Sequence, residues 1–159
     1  MRLHIRQARS SDVDAMVRVT VAAFEPIFIS FKQILGSQVF PKIYPDWRVI
    51  QQREVESAWT NKRIDVWVAE VDGSTIGLIA YELRDDRVGE VRLLAVHPDF
   101  QNEGVGTKLS TFALGKMRDA GMEMAEVATG GDQSHAPARS TYERTGYTAL
   151  PLVRYYKWL

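Results

Sequence analysis

Val91-Arg-Leu-Leu-Ala-Val-His-Pro-Asp-Phe-Gln101-Asn-Glu-Gly104-Val-Gly106-Thr-Lys108-Leu109 reads as an apolar strand, a polar turn and the opening of an amphipathic helix. From Gly104 the helix keeps Val105, Leu109, Phe112, Ala113 and Met117 on one stripe, and Gly121 is placed to cap its end. Met122 to Ala128 reads as a strand. Strand, helix and strand in immediate succession imply a parallel pair joined by a right-handed crossover. The same stretch has a chemical reading. A helix start leaves backbone N–H groups without intrahelical partners, and the aligned peptide dipoles place partial positive charge there, so an anion binds without a dedicated cation. Gly104 and Gly106 allow a phosphate to approach closely, although a strand-to-helix turn that uses glycine only for packing has the same pattern. Rival phosphate motifs fail: a dinucleotide fingerprint needs a third glycine where Leu109 stands, and a Walker loop needs lysine where Thr107 stands.

Working outward from this stretch, Leu3 to Ala8 reads as a short strand, and Ser11-Asp-Val-Asp14 opens a helix with Val13, Met16, Val17, Thr20, Val21 and Phe24 on one face. From Glu25 to Asp46 the pattern loosens around Pro26, Gly36, Pro41 and Pro45, predicting a long aromatic connection rich in Phe28, Phe31, Phe40 and Tyr44. Asp46 caps a helix from Trp47 towards Trp59. Ile64 to Val71 and Thr75 to Leu83, separated by Asp72-Gly73, read as an antiparallel hairpin, and Val88 to Val96 extends the meander. Ser134 to Thr145 reads as a helix with Pro137 in its first turn and Gly146 as its cap. Tyr147 to Ala149 and Val153 to Trp158 are two further strand candidates broken by Pro151. The expectation is one α/β domain over residues 1–159, with a mixed, mostly antiparallel sheet of six to seven strands and about four flanking helices.

Its 159 residues, 45% hydrophobic and 25% charged, suit one ordinary globular domain. Twenty basic and twenty acidic residues leave no net field to hold a polyanion, so nucleic acid is not an expected partner. No apolar run approaches the roughly 20 residues that span a bilayer, and the opening residues lack the apolar core of a secretory signal, so no membrane association and a cytoplasmic location are expected. Cysteine is absent, which removes disulfides, thiolate metal sites and a cysteine nucleophile. His4, His97 and His135 lie in separate segments without metal-ligand spacing, so no metal is expected. There is no Gly-x-Ser-x-Gly elbow to support a serine nucleophile either.

At Gln101-x-x-Gly104-x-Gly106 the chain resembles the pyrophosphate-binding motif of the GCN5-related N-acetyltransferases (GNAT). Ala138-Arg-Ser-Thr-Tyr142-Glu-Arg-Thr-Gly146-Tyr147 resembles the later Ala-x-x-x-Tyr-Glu-x-x-Gly-Phe/Tyr signature of the same family, in the correct order. The resemblance covers nearly the whole chain. It implies a GNAT-like fold and direct acetyl transfer from acetyl-CoA, as donor substrate, to a primary amine of a small molecule. Proteins or peptides as acceptors, and a non-catalytic acyl-CoA-binding module, are the rival readings; a homodimer is compatible with either.

The resemblance also assigns expected roles. Gln101, Asn102, Glu103, Gly104, Val105, Gly106, Thr107 and Lys108 would hold the pyrophosphate. Leu94 and Val96 would line the pantetheine arm through their backbone, with an oxyanion-type N–H near Ala95 or Val96. Tyr142 would protonate the departing thiolate; taken alone, without the glycine motif upstream, it reads as a helix side chain packed on the core. The acceptor poses the opposite problem, because an alkylamine of pKa near 10 must lose a proton before it attacks. Glu90, on the strand leading to the glycine turn, is the candidate base through water, with Glu82 in reserve; pairing between Glu90 and Arg92 is the structural alternative. His135 departs from the family, which frequently has asparagine there to bond the pantetheine. Imidazole could make that bond, help deprotonate the acceptor, or simply cap the helix. Arg139 is a phosphate contact or a solvated helix residue. Phe28, Phe31, Tyr44 and Trp47 are the candidate walls of the acceptor pocket, which the family shapes in that region.

Overall fold

The structure, a computed structural model, describes residues 2–159. Five strands form one sheet in chain order: β1 His4–Gln7, β2 Ile64–Val71, β3 Ser74–Leu83, β4 Val88–Val96 and β5 Met124–Val127. Four helices accompany them: α1 Val13–Ile43, α2 Trp47–Thr60, α3 Val105–Asp119 and α4 Ala136–Arg144. β1 to β4 pair antiparallel, and β4 and β5 pair parallel with α3 between them in the chain, as the strand-helix-strand pattern predicts. The β2–β3 turn has Asp72 at φ 50° and Gly73 at φ 78°, the paired positive dihedrals that a two-residue hairpin requires. No helix among the described residues is long and apolar enough to cross a membrane.

The sheet carries a core on each face. Val66, Val68, Leu78, Ala80, Leu93 and Ala95 face Met16 and Val19 of α1 and Val55 and Ala58 of α2. On the other face Ile79, Tyr81, Val91 and Val96 meet Val105, Leu109, Ala113 and Met117 of α3, the expected stripe except for Phe112, which is half-buried against Trp67. Arg6 of β1 ties the sheet to the start of α1, donating to Asp12 through both terminal nitrogens at 2.8 Å and to Glu70 of β2. Asp12 in turn accepts the N–H of Arg9 at 2.7 Å, satisfying one of the donors at the helix start.

Two expectations are corrected. The sheet has five strands, not six to seven: Tyr147–Ala149 and Val153–Trp158 join no ladder. Their alternation of apolar and polar residues is compatible with a strand, but Pro151 offers no N–H to a neighbour and the segment lies exposed, with Leu152 and Tyr155 more than 80% accessible. The second correction concerns residues 25–46, which are helical up to Ile43 and not an open connection. Gly36, at φ 82° and ψ 177°, bends α1 sharply, and this is where the helical pattern breaks. Along a straight helix Phe28 and Tyr44 would be about 24 Å apart. Their ring centroids are 5.1 Å apart, so the segment beyond Gly36 folds back on the one before it.

Candidate active site

β4 and β5 stay paired only from Val88↔Met124 to Val91↔Val127, whereas β4 runs on to Val96. Beyond Val91 the two strands part, and the backbone of residues 92–96 has no strand on that side. A β-bulge opposite Ala80 and Tyr81 bends β4 at the same point, because Tyr81 pairs with Val91 and Ala80 with Leu93, leaving Arg92 as the extra residue. The opening is one side of a cavity of about 490 Å³. Leu94, Ala95 and Val96 line its β4 wall, Val127 and Ala128 the opposite wall, and the turn before α3 its end.

That turn is shaped by two positive-φ residues, Asn102 at 63° and Gly104 at 82°, and α3 starts at Val105. The Lys108 N–H donates back to the Gly104 carbonyl at 3.0 Å, so the N–H groups of Val105, Gly106 and Thr107 are those left without intrahelical partners. All three residues line the cavity. A Cβ on Gly106 would meet Thr141 and Val96 at 3.7–3.9 Å, which is ordinary contact. The fold itself therefore does not demand glycine at 106; an anion pressed against the backbone would. Gln101 has a different task from an anion ligand, since its Nε2 donates to the Val96 carbonyl at 2.9 Å and latches the turn onto the end of β4. Asn102 lines the cavity, whereas Glu103 and Lys108 do not; Lys108 is exposed on the side of α3 that meets β1.

From the other side α4 presents Tyr142, 9% exposed, whose ring meets Tyr147 edge to face at 5.6 Å. Tyr142 borders the cavity. Burial, with a smaller contribution from Tyr147, pushes its hydroxyl above the ordinary phenol value, so it is protonated at neutral pH and available as a donor. His135, seven residues earlier, also borders the cavity, and its Nδ1 lies 2.5 Å from Asp132 Oδ1. Arg139 is neither of the things expected of it: Nη1 donates to the carbonyls of Gly130 and Asp132, both at 2.7 Å, and so clamps the loop before α4.

Other candidates stand apart from the cavity. Glu90 is held by Arg84 at 3.1 Å and by Arg92 at 2.8 Å, one guanidinium on each oxygen, so the pairing with Arg92 weighed from the sequence is present. Glu82, cross-strand from Glu90, pairs with Arg92 and Arg63. Phe28, Phe31, Tyr44 and Trp47 form one aromatic cluster, with Phe28 stacked on Trp47 at 4.7 Å and Phe31 on Tyr44 at 5.7 Å. None of the four lines the cavity. Its α1 wall is Ala23, Phe24, Pro26 and Ile27. Phe24 belongs to the expected apolar face of the first helix, whereas Pro26 and Ile27 fall where the sequence pattern loosens. Arg92 and Arg144, which also line the cavity, carry no motif that would have singled them out.

The arrangement is an elongated cleft with anion-ready N–H groups at one end and a protonated phenol and an imidazole along one side. The sequence profile of the Acetyltransferase (GNAT) family matches residues 33–147. A mycothiol acetyltransferase of Thermomonospora curvata is 26% identical over 160 residues, covering 93% of this chain and 50% of its own length. The chain thus spans about half the length of that relative. An uncharacterized N-acetyltransferase of Archaeoglobus fulgidus is 28% identical over 138 residues, covering 80% of this chain and 82% of its own. Among solved structures, the PaiA N-acetyltransferase from Thermoplasma acidophilum in complex with coenzyme A superposes with a TM-score of 0.70 at 16% identity, over 93% of this chain and 91% of that one. At that identity the likeness is one of fold. The family match covers most of the chain, and the chain belongs to the GNAT acetyltransferases.

Proposed function

We propose that this GNAT acetyltransferase is a single N-acetyltransferase domain over residues 1–159 that moves the acetyl group of acetyl-CoA directly to a primary amine of a small molecule. The observation that carries the reading is the continuity of the cleft, which joins the N–H groups of Val105, Gly106 and Thr107 to the side chain of Tyr142 between the parted strands β4 and β5. A diphosphate fits the first end, because unpartnered N–H groups and a helix dipole favour negative charge there. An extended, uncharged arm fits the gap beside residues 92–96, where strand backbone can bond it as a neighbouring strand would.

Tyr142 then donates its proton to the sulfur as the C–S bond breaks. A buried phenol that stays protonated suits a leaving thiol of ordinary pKa near 8.5, whose departure a positioned acid makes easier. The absence of cysteine, and of a serine elbow, favours attack by the acceptor itself over a covalent enzyme intermediate. A small acceptor is supported by the apolar α1 wall of Phe24, Pro26 and Ile27 and by the mycothiol acetyltransferase among the relatives. CoA release from acetyl-CoA, measured against a panel of small primary amines and short peptides with free N-termini, tests this. Release with small amines is expected. Release with peptides alone moves the acceptor to protein, and tight acetyl-CoA binding with release on neither makes the chain a binding module.

A further inference from the structure

Asp132 sits in the loop before α4 with its side chain 12% exposed, and three side chains meet its carboxylate. Ser30 Oγ of α1 donates at 2.7 Å, Ser134 Oγ donates to the same oxygen, and His135 Nδ1 meets the other at 2.5 Å. Burial alone would favour the neutral acid, but the hydrogen bonds from Ser134, His135 and Ser30 hold the carboxyl well below the usual carboxylate range. The imidazole is fixed as firmly. Phe31 lies against it with centroids 5.6 Å apart, and a Cβ at Gly130 would fall 2.3 Å from Nδ1, so only glycine admits the ring at that place. Arg139 holds the carbonyls on either side of this contact.

An ionised carboxylate on Nδ1 selects the tautomer in which Nδ1 carries the hydrogen and Nε2 keeps its lone pair. His135 stands just before the first residue of α4 and Tyr142 lies within that helix, and both border the same cavity. Two proton-transfer groups bordering one cavity can flank a reacting centre, one serving the amine and the other the sulfur. Glu90, by contrast, has both oxygens on guanidinium groups and does not border the cavity.

We propose that His135 is the catalytic base that takes the proton from the acceptor's ammonium group, with Asp132 as its positioning residue, a role that rests on the amine-acetylating reading above. Nε2 of His135 accepts one proton from the ammonium, and the freed lone pair forms the C–N bond at the thioester carbonyl. The C–S bond breaks, and Tyr142 gives its proton to the sulfur. The nitrogen sheds its second excess proton, which restores Tyr142, so the net release is one proton, through His135. The charged group that meets the ring is Asp132 from the loop, and Arg139 of α4 bonds the Gly130 and Asp132 carbonyls beside it. Ser30 and Phe31 from α1 do not titrate in the relevant range, and Tyr44 lies beyond Phe31.

The test is the pH profile of kcat/KM for the best amine, with acetyl-CoA saturating, in the wild type and in His135→Asn, His135→Gln, Asp132→Asn and Glu90→Gln. His135→Asn and His135→Gln are expected to lower kcat/KM about 100-fold and to erase the acid limb, with the KM for acetyl-CoA within about threefold of wild type. Asp132→Asn should give a similar loss, and Glu90→Gln should keep the limb. Independently of activity, the imidazole nitrogen shifts in ¹⁵N NMR of the wild-type chain should report a hydrogen on Nδ1. A hydrogen on Nε2 overturns the proposal. It is also overturned if His135→Asn keeps the acid limb and mainly raises the KM for acetyl-CoA, which would mark a pantetheine contact, or if only Glu90→Gln removes the limb. A wild-type chain that releases no CoA with any amine overturns the functional reading and this proposal together.

Discussion

Gln101 Nε2 donates to the Val96 carbonyl across 2.9 Å, joining the last residue of β4 to the turn that precedes α3. The bond spans the point where the sheet opens, and so it fixes how the helix N-terminus faces the cleft. Gln101→Ala removes one hydrogen bond worth about 1 kcal/mol. The KM for acetyl-CoA is expected to rise about fivefold with kcat nearly unchanged, because the turn is displaced but Tyr142 is not. Steady-state kinetics with a saturating amine checks this.

Gly104 and Gly106 should respond differently to alanine. Gly104 has φ 82°, where a side chain costs about 1–2 kcal/mol, so Gly104→Ala should lower the thermal midpoint. Gly106 is helical and its Cβ would meet only ordinary contacts, so Gly106→Ala should leave the midpoint equal or raise it, since alanine is favoured over glycine in a helix by about 1 kcal/mol. Its cost appears in the ligand: titration calorimetry should show CoA binding weakened about tenfold in a chain at least as stable as wild type.

Tyr142→Phe deletes a hydroxyl that no described protein group bonds and keeps the ring packed on Tyr147. Turnover is expected to fall at least about tenfold, as for a lost general acid, with CoA affinity within about twofold. Equal turnover would remove Tyr142 from the chemistry.

Asp12, buried between Arg6 and the start of α1, predicts an acid-sensitive fold. Its carboxyl is held below its ordinary value, first by the Arg6 hydrogen bonds and also by the Arg9 N–H, against the opposing effect of burial. The group therefore stabilises the native state fully above the unfolded value of about 3.9, and this contribution is lost as pH falls through the lowered native value. Asp132 acts in the same direction. Asp12→Ala leaves Arg6 with Glu70 as its one carboxylate partner and should cost about 3 kcal/mol at neutral pH. In urea melts from pH 7 down to pH 3 the gap between variant and wild type should shrink below about pH 4.

The strand, turn and helix from Val91 to Met117 were legible because each carries local information: an apolar run, positive-φ glycine and a 3.6-residue stripe. The Asp72-Gly73 hairpin and the Asp46 cap were legible for the same reason. What escaped depends on contacts distant in the chain. Residues 25–46 hold Pro26, Gly36 and Pro41, which read as breakers, yet the packing of Phe28 on Trp47 and of Phe31 on Tyr44 sustains helix on both sides of the Gly36 bend. The tail after Tyr147 shows the converse, since strand-like alternation without a partner makes no strand. At the site, the two motifs led to the glycine turn and Tyr142, but Asp132 and Ser30 meet across 102 positions and no local pattern announces such a pair. The β-bulge at Arg92, which depends on cross-strand register, was equally invisible.

We propose that acetyl-CoA lies in the cleft between β4 and β5, diphosphate at the start of α3 and thioester beside Tyr142. A crystal structure with CoA bound measures this directly. Phosphate oxygens are expected within hydrogen-bond distance of the N–H groups of Val105, Gly106 and Thr107, with the pantetheine arm along residues 92–96 and the sulfur next to the Tyr142 hydroxyl. A diphosphate bound elsewhere, or a sulfur remote from α4 with the cleft left empty, would contradict it.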